Sequence, residues 1–229
     1  MIRLFCGYDK REAIGSHLFA FSVVRRASVP VAITMLDSKG LPVGSNDFTF
    51  SRFLVPWLCD FDGHAIFMDG ADMIMQADIA ALNALFDPQF AVQVVRHKSY
   101  STQHKIKYRG TSMQCPNRDY ARKNWASVML VNCAHPHWST LTPETLQAKA
   151  SSGLSLLQFE GLRLDADEQG RSEVGALPEE WNRMVDEGQQ VDGAKVLHWT
   201  AGIPGFHHYR EAPGAEAWFA ERDNMMVLA

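Results

Sequence analysis

Apolar positions along the 229-residue chain fall into short runs separated by polar turns, and the spacing inside the runs alternates between strand-like and helical. Residues 2–8 (IRLFCGY) form an apolar run closed by a turn signal, and Ile14, Leu18, Phe21 and Val24 recur at helical spacing over 11–26, which predicts a strand followed by a helix. Residues 29–36 (VPVAITML) are rich in β-branched side chains and predict a second strand; 41–48 has loop chemistry, and 49–58 (TFSRFLVPWL) reads as a helix interrupted near Pro56. Ala65–Met68 supplies a third strand, and Asp78 stands immediately before a short helical run, where its side chain can cap the first turn. Residues 90–97 and 125–133 predict two further buried strands, joined by a polar segment, 98–124, that is longer than ordinary connections. Beyond 134 the pattern weakens to a capped helix near 142–150, little periodicity up to 175, the segment 177–184 (LPEEWNRM), a strand over 194–200 and a terminal helix near 215–224.

Strands alternating with helices predict an α/β fold in which a mostly parallel central sheet is flanked by helices, and the length suits a single domain with long loops. Composition fits a globular chain: 46% of residues are hydrophobic and 21% charged. A net charge of -4 with scattered Lys and Arg gives no electrostatic footprint for nucleic acid, and no apolar run approaches membrane-spanning length, so a cytoplasmic protein with no nucleic-acid partner and no membrane span is expected. Cys6, Cys59, Cys115 and Cys133 form neither a CxxC pair nor a secreted framework, and read as buried thiols without disulfides.

In parallel α/β sheets, ligands bind beyond the carboxyl ends of the strands, and the third strand ends by delivering Asp69 and Asp72. On an extended chain, positions i and i+3 face opposite sides, so the two carboxylates meet only if the chain turns after Asp69, which Gly70 permits. Two carboxylates brought together repel, and a hard divalent cation with oxygen ligands resolves the conflict, which points to Mn²⁺ or Mg²⁺ sharing its remaining positions with phosphate. The chain has neither GxGxxG nor GxxxxGK[ST], so no Gly-rich loop cradles a phosphate and a metal would have to neutralise it. His198, at the end of an apolar strand and before a Gly/Pro loop, can complete such a site. His135, His137, His207 and His208 offer a weaker zinc alternative without ordinary structural-zinc spacing.

The segments GYDKREAIGSHLFAFSVV, FSRFLVPWL, AIFMDGADMIMQADI, NWASVMLVNC, GALPEEWN and VLHWTAGIPGF, taken in order, resemble the family-8-like glycosyltransferases of the GT-A fold, the group that holds glycogenin and bacterial lipopolysaccharide galactosyltransferases. The resemblance spans almost the whole chain. It implies a UDP-sugar donor, a carbohydrate or other hydroxyl acceptor, transfer with retention, and Mn²⁺ (or Mg²⁺) held by Asp69, Asp72 and His198. It also implies donor contacts from Gly7, Tyr8, Asp9 and Arg11 after the first strand, from Arg52, whose fork suits phosphate, from Asp69, and from Trp125, whose ring can stack on a sugar face. Two departures stand out: the family's aspartates are separated by one residue where this chain has Asp69-Gly70-Ala71-Asp72, and its Asn-x-Gly-Val segment becomes WASV, with Trp125 in the asparagine position. Gln158, Asp165 and Asp167 are the acceptor-side catalytic candidates.

On this basis the donor-binding half covers about 1–95 and the acceptor-side half about 96–229. The loop 97–124 carries seven positive side chains, which suits closure over a diphosphate or receipt of a polyol. The rival functions are a catalytically inactive nucleotide-sugar-binding or assembly protein, which the altered aspartate spacing permits, and a sugar-phosphate nucleotidyltransferase, against which the missing Gly-rich loop argues.

Overall fold

Along each central strand, alternate residues are buried in two different cores. Phe5, Ala65, Phe67, Met129 and Val131 pack into one, while Leu4, Cys6, Ile66, Met68 and Leu130 pack into the other. Continuous apolar runs of this kind form only where helices or loops cover both faces of a sheet. The computed structural model describes residues 1–37, 41, 44, 46–98, 101–149, 154–168 and 170–227.

In chain order the elements are β1 (Ile2–Gly7), α1 (Ala13–Arg26), β2 (Val31–Leu36), α2 (Val55–Leu58), β3 (His64–Met68), β4 (Met73–Met75), α3 (Ile79–Asn83) and β5 (Val92–Val95). They continue with β6 (Ile106–Lys107), β7 (Cys115–Pro116), β8 (Val128–Asn132), α4 (Pro143–Lys149), α5 (Leu154–Leu157), β9 (Val174–Leu177), β10 (Arg183–Met184), β11 (Val196–His198) and α6 (Ala215–Val227). The main sheet has the order β2-β1-β3-β8-β5-β9. Its pairs are parallel except where β8 runs antiparallel to both β3 and β5, which confirms a mostly parallel sheet and draws its strands from both halves of the chain. A second sheet, β10-β11-β4, stands beside it, and β6 and β7 form a small hairpin inside the long polar loop.

Several elements differ from the sequence pattern for identifiable reasons. Helix α1 forms where expected, but Ile14 and Val24 are exposed at 48% and 61%, and the buried face is Gly15, Ser16, Leu18, Phe19, Ser22 and Val23. Small residues win that face because the helix approaches backbone: a Cβ on Gly15 would stand 1.9 Å from Ala71 O, and Ser22 Oγ accepts from Met75 N at 3.0 Å. Pro56 lies in the first turn of α2, where its missing N–H costs nothing, so it starts a helix after a 3-10 turn over Ser51–Leu54 instead of interrupting one. Strand β8 begins at Val128; Trp125–Ser127 is a 3-10 turn entered through Asn124 at φ 62. Met73–Met75 becomes a strand of the second sheet because it pairs with β11 (Val196–His198), a partner far along the chain that local periodicity does not reveal. Asp78 caps α3 as expected, accepting from Ala80 N at 2.9 Å. All four cysteines are free thiols, with Cys115 half-buried.

Candidate metal-binding site

At the carboxyl edge of the main sheet, β3 ends at Met68 beside Cys6 of β1 and opposite Val128, the first residue of β8. The chain then turns sharply. Gly70 has φ +76, Ala71 N donates to Asp69 O at 2.8 Å, and Met73 N donates to Gly70 O at 3.0 Å. A non-glycine residue would be strained at that φ, so the glycine predicted to permit the turn is required by it. The turn points Asp69 and Asp72 to one place, and the antiparallel pairing of β4 with β11, in which His198 faces Met73, brings the imidazole to the same place. One ligand atom from each of Asp69, Asp72 and His198 lies within 4.8 Å of the others. The extra residue in the aspartate motif is therefore absorbed by the Gly70 turn, and the three groups the sequence singled out as metal ligands converge.

The trio is buried and under-satisfied. Asp69 Oδ1 and Asp72 Oδ1 are enclosed and lack hydrogen-bond partners. Arg52 Nη1 stands 2.7 Å from Asp69 Oδ1 as an ion pair outside hydrogen-bond geometry. Burial pushes the Asp69 carboxyl up to about 6, against the pull of Arg52. Burial also acts on Asp72 and His198, but each is outweighed by the other: His198 holds the Asp72 carboxyl below the usual range, and Asp72 keeps the imidazolium above its usual value. Their Oδ2 and Nε2 atoms are 3.4 Å apart. Glu12, with both carboxyl oxygens enclosed and lacking hydrogen-bond partners, is driven well above its usual value by burial and then by Asp72. Paired carboxylate oxygens with unused lone pairs, facing one imidazole nitrogen, form a donor set that fits a divalent cation.

The supporting residues orient these ligands. Arg52, 5% exposed, donates from Nε to Thr49 O at 2.9 Å and from Nη1 to Ala126 O at 2.6 Å, with Phe67 against its guanidinium at 4.9 Å. Asp69 N donates to Ser127 O at 2.9 Å, so the WAS turn carries both Asp69 and its counter-ion. Asn182, fully buried, has Nδ2 3.2 Å from Asn124 O and 2.9 Å from Ser127 Oγ. A carbonyl only accepts, so the amide nitrogen faces Asn124 and the amide oxygen faces His198, which donates from Nδ1 at 2.8 Å. That bond places the ring proton on Nδ1 and turns the Nε2 lone pair toward the aspartates, an outer-shell arrangement typical of metal-ligating histidines. Asn182 stood within the GALPEEWN segment, but a buried asparagine leaves no periodic signal. Asn182→Ala is expected to weaken Mn²⁺ binding by about 10- to 100-fold in calorimetry performed below the variant's melting transition.

The remaining candidates fall into different places. Asp9 is fully buried and takes Arg11 Nε on Oδ1 at 2.8 Å and Asp47 N on Oδ2 at 3.1 Å, forming a closed knot at the end of β1. Gly7 is required by packing, since a Cβ would stand 2.2 Å from the Phe48 ring, and Tyr8 is half-buried with its N–H on Leu36 O. Trp125 does not line the metal cleft: its indole donates to His97 O at 3.2 Å, and it borders a separate cavity with Tyr120 and Arg122. Gln158 accepts from Arg122 through its backbone oxygen, and its neighbour Leu157 lines the cleft. Asp167 is tied to Arg163 at 2.5 Å and Arg171 at 3.0 Å, and Asp165 borders a cavity beside β9 with Arg96 and Ser172. His135 caps a 3-10 turn, His137 meets Trp138 edge-on, and the His207 and His208 rings lie 5.4 Å apart; among the described residues, none joins Asp69, Asp72 and His198.

The trio implies a pH dependence. Metal binding requires Asp69 ionised and the His198 Nε2 proton removed, so Mn²⁺ affinity is expected to rise as pH climbs through about 6, with proton release in calorimetry. In the metal-free protein Asp69 acts in the opposite sense. The folded state keeps a proton that the unfolded chain releases near 3.8, so the contribution of Asp69 to stability declines as pH rises from there to about 6.

No known family profile matches the chain. Its fold is the GT-A glycosyltransferase fold. The galactosyltransferase LgtC, solved in complex with donor and acceptor sugar analogs, superposes with a TM-score of 0.60 at 14% identity, covering 97% of this chain and 96% of that one. The apo-form glycosyltransferase GlyE of Streptococcus pneumoniae TIGR4 gives 0.57 at 14% identity over 96% of this chain and 59% of its own. In sequence, protein CDI of Arabidopsis thaliana is 34% identical over 237 residues, covering 96% of this chain and 86% of the relative. The chain belongs to the protein CDI family.

Among the described residues, no helix is long and apolar enough to cross a membrane.

Proposed function

We propose that this chain is a divalent-cation-dependent glycosyltransferase that moves a hexose from a UDP-sugar to a hydroxyl group of a carbohydrate or other acceptor. The observation that carries this is the convergence of Asp69, Asp72 and His198 within 4.8 Å, with the enclosed Oδ1 atoms of both aspartates lacking hydrogen-bond partners, at the carboxyl edge of a GT-A sheet. The mixed oxygen and nitrogen donor set suits Mn²⁺ better than Mg²⁺, which prefers oxygen and water alone. When bound, such an ion neutralises a diphosphate as negative charge develops on the departing oxygen.

The chain's own residues do the rest. Arg52 holds Asp69 in place from behind, and Asn182 fixes the tautomer of His198. The β1 end, with Tyr8 and the Asp9–Arg11 knot, forms the wall for base and ribose. Leu157 brings the segment carrying Gln158 to the cleft, which makes Gln158 the acceptor-side candidate best placed of the three. In the transfer, the bond from the anomeric carbon to the diphosphate oxygen breaks with its electron pair leaving on the diphosphate; the acceptor oxygen forms the new bond and releases its proton. Retention follows the family resemblance and is read from the anomeric coupling of the product.

The test is a thermal-shift and turnover screen of UDP-glucose, UDP-galactose, UDP-N-acetylglucosamine and GDP-mannose with and without Mn²⁺. A shift and UDP release from one UDP-hexose, both abolished by chelator, are expected. A shift without turnover toward any acceptor would instead make the chain a binding protein, and no shift with any donor would contradict the assignment.

A further inference from the structure

The cleft beside Asp69 is a cavity of about 60 Å³ lined by Arg52, Asp69, Tyr120, Asn124, Ser127 and, from the long loop, Lys107. That volume holds an ion and a few oxygens, far less than a whole nucleotide sugar requires. Lys107 is half-buried at the end of β6, and its position is built. The adjacent Tyr108 is fully buried at φ 55 and donates its N–H to Ala201 O at 2.7 Å, in the loop that follows His198. The Lys107 ammonium rests 5.1 Å from the centre of the Tyr108 ring. From there its charge favours ionisation of Asp69, Asp72 and Glu12 together, yet among the described residues it forms no ion pair with any of them. A cation from the long loop thus lines the same small cavity as Asp69.

We propose that Lys107 binds the diphosphate of the donor, beside the Asp69–Asp72–His198 ligands. The proposal rests on the reading of that trio as a metal–diphosphate site. Charge supports it: two ionised aspartates, the Arg52 guanidinium and a divalent cation leave one net positive charge, whereas the diphosphate of a nucleotide sugar carries two negative ones, and Lys107 closes the balance. A further negative charge appears as the sugar leaves, when the diphosphate becomes a terminal phosphate, so the ammonium gains importance as the bond breaks. Its flexible stem and point charge suit a phosphate oxygen that moves during the reaction.

The metal and the diphosphate respond to loss of this charge in opposite directions, which separates a ligand contact from a structural role. Calorimetry on the full chain compares wild type with Lys107→Met, which keeps the apolar stem, and Lys107→Arg, using Mn²⁺ alone and then UDP or GDP in the presence of Mn²⁺. For Lys107→Met, Mn²⁺ alone is expected to bind as tightly as in wild type or several-fold tighter, because a like charge is gone. UDP in the presence of Mn²⁺ is expected to bind at least about tenfold more weakly, the loss of one charge-assisted contact, and Lys107→Arg to recover most of it. Wild-type diphosphate affinity in Lys107→Met overturns the proposal, as does a parallel loss of Mn²⁺ and UDP binding, which would mark a structural role. Absence of Mn²⁺-dependent binding of either nucleotide in the wild type overturns the donor-site reading itself, and this proposal with it.

Discussion

Asp72→Asn is expected to lower Mn²⁺ affinity, and with it Mn²⁺-dependent UDP binding and turnover, by at least about 100-fold, or roughly 2.7 kcal/mol. The metal-free fold is expected to lose some stability at and below neutrality, because Asp72 and the buried His198 imidazole hold each other's charge, with Oδ2 3.4 Å from Nε2, and the amide leaves the imidazolium without its carboxylate. The isosteric amide opens no cavity and keeps the backbone oxygen that accepts from Trp199 N at 2.9 Å, so the fold itself is retained. Thermal unfolding with and without Mn²⁺ checks both halves. A large loss of metal-free stability together with retained Mn²⁺ affinity would make Asp72 a structural residue.

Arg52→Ala should produce the largest loss of stability among the site residues. The guanidinium is nearly enclosed, pairs with Asp69, satisfies two carbonyl oxygens and packs against the Phe67 ring. Its removal leaves a carboxylate buried without a cation, at a cost of about 3–5 kcal/mol, which for a chain of this size lowers the melting temperature by on the order of 10 °C. Mn²⁺ should restore part of the loss, because the ion takes over compensation of Asp69 charge and binds only the folded state. Melting curves across a Mn²⁺ series measure this. A drop that Mn²⁺ leaves untouched would show that Arg52 supports packing alone.

The ligand trio was legible because its chemistry is unusual for its context. Carboxylates at the end of an apolar strand, a glycine between them and a histidine ending a distant strand each call for a partner, and the Gly70 turn and the β4–β11 pairing supply it. What supports the trio was not legible, because it consists of ordinary residues doing local work at long sequence separation. Asn182 lies 16 residues from His198 and 55 from Ser127, and its role exists only once three loops meet. Gly15 looks like a helix-weakening residue until Ala71 O is placed against it. Arg52, which the resemblance gives as a donor contact, lines the cleft from a 3-10 turn and also pairs with Asp69, a partner that local sequence does not reveal. On α1, Leu18 is buried as helical spacing predicts, while Ile14 and Val24 are exposed and Gly15, Ser16 and Ser22 share the buried face, since close contact between backbones selects small residues there.

Anomalous diffraction from crystals of the protein grown with Mn²⁺ and UDP addresses the central claim most directly. The expected result is a single strong manganese peak within coordination distance of Asp69, Asp72 and His198 Nε2, with diphosphate oxygens completing its shell. Manganese bound elsewhere, or a UDP diphosphate seated away from these three residues, would contradict it.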